Sequence, residues 1–495
     1  MNTLVTQFFF PLSPVLSIVG GAVLLTVLEF FPEARLQRVK ASVAASATLL
    51  SIVFTLLLWA TGSFEISSEV VETSGWLLEF KRTYRLDVFT LALYFGVGLF
   101  STLAIFLVHF HFQHRKGPQE IYLLLLFVIS GMQFLVSANS LIILFLALEL
   151  MSLPTYVLVA THRRDPKSCE ASLKYFLFGA FASVLFVLGA AFLYASYGTL
   201  HLGLLAERIQ VYLSYENSPF ELLVFTYGGL TLLMIAGGFK IGLAPFHMWV
   251  PDTYEGAPSA VTGFMGSAIK LAGFALFVRL LWGIFIPVSS HWVPVLNTLA
   301  IISMFVGNLA ALAQTNLKRI FAYSSVAHAG YLMLCVTAVA PFGPNFEALY
   351  YYLITYGLMF LGVFAVIELL ETRYQSSELH ELSGMGFTHP ILGVCLSILV
   401  LSGAGIPPTA GFLAKYFVFL EAVKAGHTFQ VVLAVISSLI GAFYYLRVLV
   451  YLYMRENKRE GIPLLRAPTV FVCIVFCALS MLYLAAVPSS LTFGP

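Results

Sequence analysis

The sequence predicts an all-α polytopic membrane protein of about fourteen transmembrane helices, two of them broken. Three observations predict it. Apolar residues make up 60% of the 495-residue chain and charged residues only 10%, with a mean hydropathy of +0.92, whereas soluble domains are about 25% charged. Apolar runs of about 20 residues, the length that crosses a bilayer, follow one another with short polar breaks between them. Two of the runs are interrupted by strings of Gly and Pro.

The runs cover residues 8–31, 42–62, 86–109, 120–138, 140–161, 170–197, 220–243, 257–282, 292–314, 321–340, 346–370, 390–422, 428–453 and 468–488. The first has no Lys or Arg before Arg35 and is long, so it is expected to be a retained helix rather than a cleaved signal peptide. Lys and Arg of short loops mark the cytoplasmic side. Arg35, Arg38 and Lys40 follow span one, Arg115 and Lys116 span three, and Arg163, Arg164 and Lys167 span five. Lys318 and Arg319 follow span nine, and Arg455, Lys458, Arg459 and Arg466 span thirteen. All of these connections are odd-numbered, whereas Glu207, Glu216 and Glu221 follow span six. Both termini are therefore expected on the outer side. The connections after spans seven and eleven break the rule, because they read acidic.

Span seven meets Gly242-Leu243-Ala244-Pro245, and span twelve, too long for one straight crossing, contains Gly405-Ile406-Pro407-Pro408. Proline has no amide donor and clashes with the preceding turn, so each string should break its helix. Broken helices at corresponding places in two halves mark transporters built from repeats, since half-helix ends present partial charges inside the membrane. Spans four to eight are accordingly expected to repeat as spans nine to thirteen.

Several function classes are excluded. A net charge of +2 does not suit a nucleic-acid partner, and the partner that composition implies is the lipid bilayer. Cys169, Cys335, Cys395, Cys473 and Cys477 form no Cys-x-x-Cys pattern, so iron–sulfur ligation is not expected. No Gly-rich nucleotide loop follows a strand pattern. The 45 Phe are expected to pack or face lipid, with no sign of a haem or quinone pocket.

Chemistry must then come from ionisable residues far from span ends. An ionised side chain at the bilayer centre costs about 2.5–3.5 kcal/mol on insertion scales, so each needs compensation or neutralisation. Glu149 lies mid-span five, Lys270 is central in span eight, Lys240 sits five residues before Pro245 and Lys415 seven after Pro408. Lys174 lies about one turn inside span six, and His328 about two turns into span ten. Each has a plainer explanation. Lys174 is shallow enough to snorkel, His328 can be a neutral core histidine, and the three deep lysines can be structural ion pairs. Glu149 can stay protonated and silent, but deep lysines in the same chain supply counter-charges that make its proton exchangeable. Buried Glu and Lys groups bridged by ordered water can pass a proton, and Ser259, Thr262, Ser267, Ser324, Ser325 and Thr355 are placed to hold such water. Any one of these hydroxyls is as readily a helix-packing group. Glu29, Asp87, Arg279, Glu368, Glu371 and Arg447 fall toward span ends and are expected to be anchors or interfacial pairs.

At these residues the chain resembles the antiporter-like membrane subunits of complex I, the NADH:quinone oxidoreductase of bacteria. The resemblance runs from about residue 85 to 450. It is carried by S-A-N-S-L-I-I-L-F-L-A-L-E-L-M-S-L-P-T-Y at 137–156, E-A-S-L-K-Y-F at 170–176 and F-K-I-G-L-A-P-F-H-M-W-V-P-D-T-Y-E-G-A-P at 239–258. It continues with Q-T-N-L-K-R-I-F-A-Y-S-S-V-A-H-A-G-Y at 314–331 and A-G-I-P-P-T-A-G-F-L-A-K at 404–415. The resemblance implies fourteen helices with two inverted five-helix repeats. It divides the chain into residues 1–119 (helices one to three), 120–282 and 283–453 (the two repeats) and 454–495 (helix fourteen). It implies a pair between Glu149 and Lys240, a central axis continued by Lys270, an exit through Lys415, a sixth-helix lysine at Lys174 and a polar tenth-helix position at His328. The chain itself would bind no cofactor, with NADH, FMN, iron–sulfur clusters and quinone held by other subunits. Further membrane subunits, including antiporter-like ones, would be partners in the bacterial inner membrane, with both termini periplasmic.

The leading expectation is a proton-translocating subunit of a respiratory, quinone-reducing NADH dehydrogenase. A subunit of a multisubunit sodium/proton antiporter is the alternative, and the L-K-Y-F and E-L-M-S-L-P-T-Y strings favour the first. A structural scaffold is the third reading, and deep lysines argue against it because a scaffold has no need of them.

Overall fold

A computed structural model of the chain describes residues 9–31, 36–62, 83–115, 118–213, 220–339, 345–456 and 467–491. Arg35, Lys116, Glu216, Lys458, Arg459 and Arg466, which enter the charge pattern above, lie outside the described residues. Among those described, the chain is helical apart from three isolated β-bridges.

The helices are α1 (Phe10–Glu29), α2 (Leu36–Thr61), α3 (Val88–His114), α4 (Ile121–Ser137), α5 (Leu141–Val159), α6 (Pro166–Tyr197) and α7 (Leu202–Leu213). They continue with α8 (Phe220–Ile241), α9 (Trp249–Gly256), α10 (Ser259–Leu281), α11 (Ser289–Leu312), α12 (Leu317–Thr337) and α13 (Phe346–Tyr374). The last are α14 (Pro390–Ala404), α15 (Ala410–Lys424), α16 (Thr428–Met454) and α17 (Pro468–Ala486). Twelve helices are long and apolar enough to cross a membrane, and two shorter apolar ones, α4 and α14, bring the described spans to the fourteen expected. At about 1.5 Å per residue, the 15-residue α14 is too short alone and crosses together with α15. α7 was not expected. It is an amphipathic segment whose Leu202, Leu205 and Ile209 are buried, a helical spacing hidden by its low overall hydropathy.

Helix starts follow the polar residues that precede the apolar runs. Asp87 accepts from Thr90 N, Asp165 from Lys167 N with Pro166 behind it, Asn316 from Lys318 N, and Asn345 from Ala348 N. These side chains satisfy amides that no intrahelical carbonyl reaches. Both expected breaks are present, each opened by a glycine in the left-handed region: Gly242 at φ +72° and Gly405 at φ +81°.

Depth in the bundle differs sharply among helices. α10 and α13 are buried throughout and α12 nearly so, while only 28% of the α6 span is buried. Helices approach most closely at small residues, as expected where hydrophobicity cannot drive association. A Cβ on Gly307 of α11 would lie 2.5 Å from Ala327 N and 2.6 Å from Tyr323 O of α12.

The two halves of the bundle share a device on opposite faces. Leu141 N donates to Leu200 O and Leu202 N to Asn139 O, tying the connection after span four to the one after span six. Leu317 N donates to Ser377 O and Leu379 N to Thr315 O, tying the connection after span nine to the one after span eleven. Even and odd connections lie on opposite faces, so the second knot is the first one inverted.

The acidic exceptions to the charge rule also resolve. Asp252 and Glu255 of α9 accept from Arg319 at 3.0 and 2.9 Å, Glu255 from Lys167 at 3.0 Å, and Glu371 from Lys318 at 3.0 Å. The acids after spans seven and eleven thus partner bases of the same face.

Gly307→Val is expected to force α11 from α12 at a cost of about 1–3 kcal/mol or more, as overpacking does. The measurement is the thermal stability of the purified protein, and an unchanged melting temperature would count against the close approach.

Candidate functional site

The deep lysines occupy the middle of the bundle. Lys240, Lys270 and Lys415 are 4%, 3% and 7% exposed. Among the described residues none of the three makes an ion pair within 4.0 Å. Their partners are neutral oxygens and aromatic faces.

Lys240 sits in the last turn of α8, just before the break. Its Nζ donates to Ser152 Oγ of α5 at 2.7 Å and to Tyr175 OH of α6 at 3.4 Å. Lys270 follows a π-helical turn, Met265–Ile269, within α10. Its Nζ donates to both the carbonyl and the hydroxyl of Ser325 on α12, the latter at 2.6 Å, and lies 5.0 Å from the centre of the Tyr356 ring. One turn along α12, His328 bonds Tyr352 OH through Nδ1 at 2.9 Å and Tyr445 OH through Nε2 at 3.0 Å. Tyr445 also meets Ser324 Oγ at 2.5 Å.

Lys415 of α15 turns back to the end of α14. Its Nζ donates to Ala404 O at 2.8 Å, Gly403 O at 3.3 Å and Ser438 Oγ of α16 at 2.9 Å. A void of about 10 Å³ lies between His328, Tyr352, Thr355, Tyr356, Ser402 and Gly403. It is the size of a single water centre, and it touches a partner of Lys270, His328 itself and a partner of Lys415.

The other expected members lie further out. Glu149 is half-buried and accepts from Ser183 Oγ of α6. It makes no ion pair with Lys240 among the described residues; Ser152, three residues along α5, contacts that lysine in its place. Lys174 is 39% exposed and pairs with Glu170 at 2.6 Å and Asp252 at 2.7 Å. Its neighbour Tyr175 points inward to Lys240 while Lys174 points to the rim.

Of the hydroxyls expected to hold water, Ser325 contacts Lys270, Ser324 meets the Tyr445 partner of His328 and Thr355 lines the void, whereas Thr262 donates to Tyr254 O of α9, Ser267 bonds its own helix and Ser259 bonds Glu371. The residues that sequence reasoning missed are Ser152, Ser438 and the tyrosines Tyr175, Tyr352, Tyr356 and Tyr445. Their signal was a phenol or hydroxyl within an otherwise apolar run. Among the expected anchors, Asp87 pairs with Arg279 at 3.1 Å and Glu29 with Lys40 at 2.5 Å. Arg447 bonds the carbonyls of Leu312 and Gln314. Glu368 departs from that expectation because it is wholly buried, not interfacial.

Residues 138–441, which contain every expected site residue, match the family model described as the transmembrane region of NADH:quinone oxidoreductase and Mrp antiporters. The chain belongs to this antiporter-like family. Within the family, the chain is 41% identical to NADH-quinone oxidoreductase subunit N 1 of Thermodesulfovibrio yellowstonii over 364 residues, 74% of this chain and 76% of that protein. It is 36% identical to the protein of the same name from Koribacter versatilis over 483 residues, covering 96% and 92% of the two chains. A chain of respiratory complex I from Thermus thermophilus superposes with a TM-score of 0.79 at 32% identity, covering 97% of this chain and all of that one. The antiporter-like fold of complex I, with its two interrupted helices, is therefore the fold of this chain.

Tyr445→Phe removes the one hydroxyl that serves both His328 and Ser324. Leaving the buried His328 Nε2 without its partner is expected to cost about 1–3 kcal/mol, read as a lower unfolding temperature of the purified protein. An unaltered temperature would remove Tyr445 from the network.

Proposed function

We propose that this chain is a proton-translocating membrane subunit of a respiratory NADH:quinone oxidoreductase, moving protons along Glu149, Lys240, Lys270, His328 and Lys415 with Lys174 on the rim. The observation that carries the reading is that, among the described residues, no carboxylate lies within 4.0 Å of the three buried lysines. A structural lysine in such a place would be paired. These bond hydroxyl and carbonyl oxygens, and a serine hydroxyl donates as readily as it accepts. Each lysine can therefore release its proton without leaving a buried carboxylate unpaired. Glu149, one turn from Ser152, sets the field on Lys240 through α5. Tyr445 bonds His328, and the void, with room for one water, touches the Tyr356 ring beside Lys270, His328 itself and the Gly403 partner of Lys415.

The electron chemistry lies elsewhere in this reading: NADH, FMN, iron–sulfur clusters and quinone belong to other subunits. Partner membrane subunits include further antiporter-like ones. In this reading the chain divides into residues 1–119, 120–282, 283–453 and 454–495, a division the inverted knots of hydrogen bonds support, and the basic connections favour a cytoplasmic position for their face, with both termini in the periplasm of a bacterial inner membrane. Identities of 36–41% to subunit N proteins favour this reading over a sodium/proton antiporter subunit.

In membrane vesicles containing the assembled complex, Glu149→Ala and Lys240→Ala are expected to lower proton pumping coupled to quinone reduction by about tenfold or more, at the scale of a lost proton-transfer group. Assembly, followed on native gels, should persist. Full pumping in an assembled Glu149→Ala complex would sink the relay.

A further inference from the structure

A second group of buried titratable side chains lies apart from the lysine file, on the face that carries the connections after spans three, five, nine and eleven. His111 in the last turn of α3 and Glu368 of α13 are both 0% exposed. His111 Nδ1 lies 2.6 Å from Glu368 Oε1, and His111 Nε2 lies 3.0 Å from Nε2 of His162. His162 is half-buried in the connection between α5 and α6. The two imidazoles stack with 5.1 Å between centroids. From α3, Arg115 donates to the Glu371 carbonyl; from α12, Lys318 pairs with the Glu371 carboxylate at 3.0 Å; from α13, Thr372 donates to Glu368 Oε1 at 3.2 Å.

Both carboxylates also reach the helix that carries Lys270. Ala260 N donates to Glu368 Oε2 at 3.1 Å and Ser259 Oγ to Glu371 Oε2 at 2.6 Å, at the start of α10. Negative charge is favoured at a helix N-terminus. Protonating Glu368 removes one such charge from the axis on which Lys270 sits.

Two Nε2 atoms at hydrogen-bonding distance require a proton between them. In the resting arrangement His162 Nε2–H donates to His111 Nε2, and His111 Nδ1–H donates to the carboxylate. A proton from water binds His162 Nδ1; the Nε2 proton of His162 passes to His111, and the Nδ1 proton of His111 passes to Glu368. One proton has then moved from water to Glu368, and both rings are neutral with reversed tautomers. Burial first, then the neighbouring His111, Arg115 and Lys318, hold His162 down at about 4. The outer ring accordingly passes a proton on instead of keeping it.

We propose that His162, His111 and Glu368 form a proton-entry path to the N-terminus of the Lys270 helix, with Glu368 as its loading site. The inference rests on the proton-translocating reading above and adds an entrance to it.

The test uses the assembled complex in membrane vesicles, with pumping measured between about pH 6.5 and 8.5, a range over which the supply of protons to the entrance falls. Glu368→Gln keeps an oxygen for Ala260 N but cannot accept the proton, and His162→Ala removes the outer ring. Both are expected to pump near the unmodified level at the acidic end and about tenfold less at the alkaline end, while Glu368→Asp restores most of the loss. Lys240→Ala, run beside them, should lose pumping at every pH. Profiles for His162→Ala and Glu368→Gln that follow the unmodified complex, with Lys240→Ala inactive, would overturn the entry path and leave the relay standing. Full pumping by Lys240→Ala would instead overturn the relay. Should Glu368→Gln fail to assemble, the profile of His162→Ala decides alone.

Discussion

Inside a bilayer a backbone carbonyl or amide has no water to bond, so a helix can stop there only where the protein supplies the missing partner. Both interruptions in this chain are built on that condition. At the first, Trp249 Nε1 bonds Phe239 O and Ser303 Oγ accepts Ala244 N. At the second, Lys415 caps the carbonyls of Gly403 and Ala404, and Ser402 Oγ accepts Gly411 N. Half-helix C-termini carry partial negative charge. That charge draws an ammonium to each of them, Lys240 from within α8 and Lys415 from the helix beyond the break. The breaks and the lysines are one device.

From this follows the distribution of burial. A charge held by dipoles and hydroxyls must be kept from lipid, and α12 and α13, which supply the partners of Lys270, are with α10 the innermost helices. The outer helices such as α6 meet the surroundings along most of their length and present to the interior only occasional polar groups, of which Tyr175 is one. Lys174 and Tyr175, adjacent in sequence, end in different environments because successive residues on a helix point about 100° apart. One belongs to a rim network with Asp252, Arg319 and Glu255, where solvent weakens each pair. The other touches the lysine of the core.

The face that carries Lys318, Arg319 and Lys167 shows how the charge pattern of the loops becomes structure. Its acids, Asp252, Glu255 and Glu371, look misplaced in a loop-by-loop reading and become the counter-ions of bases from neighbouring loops once the bundle closes. The same closure buries Glu368 between His111 and the start of α10, so a residue near the end of its own span lies deep in the assembly of spans.

Much of the architecture was legible in the sequence. A bilayer sets span length and proline forbids a regular helix, and both constraints act locally, so fourteen apolar runs, the breaks at Gly242 and Gly405, and lysines far from span ends could be identified residue by residue. The amphipathic α7, the partners Ser152, Ser438 and Tyr445, the outward position of Glu149 and the burial of Glu368 could not. A helix apolar on all sides carries no periodic signal for the face that turns inward, and the partner of a buried ammonium is chosen by that rotation and by the neighbouring helix. Sequence alone determined that charges lie inside the membrane; tertiary packing decided which oxygens hold them, because those oxygens come from other helices.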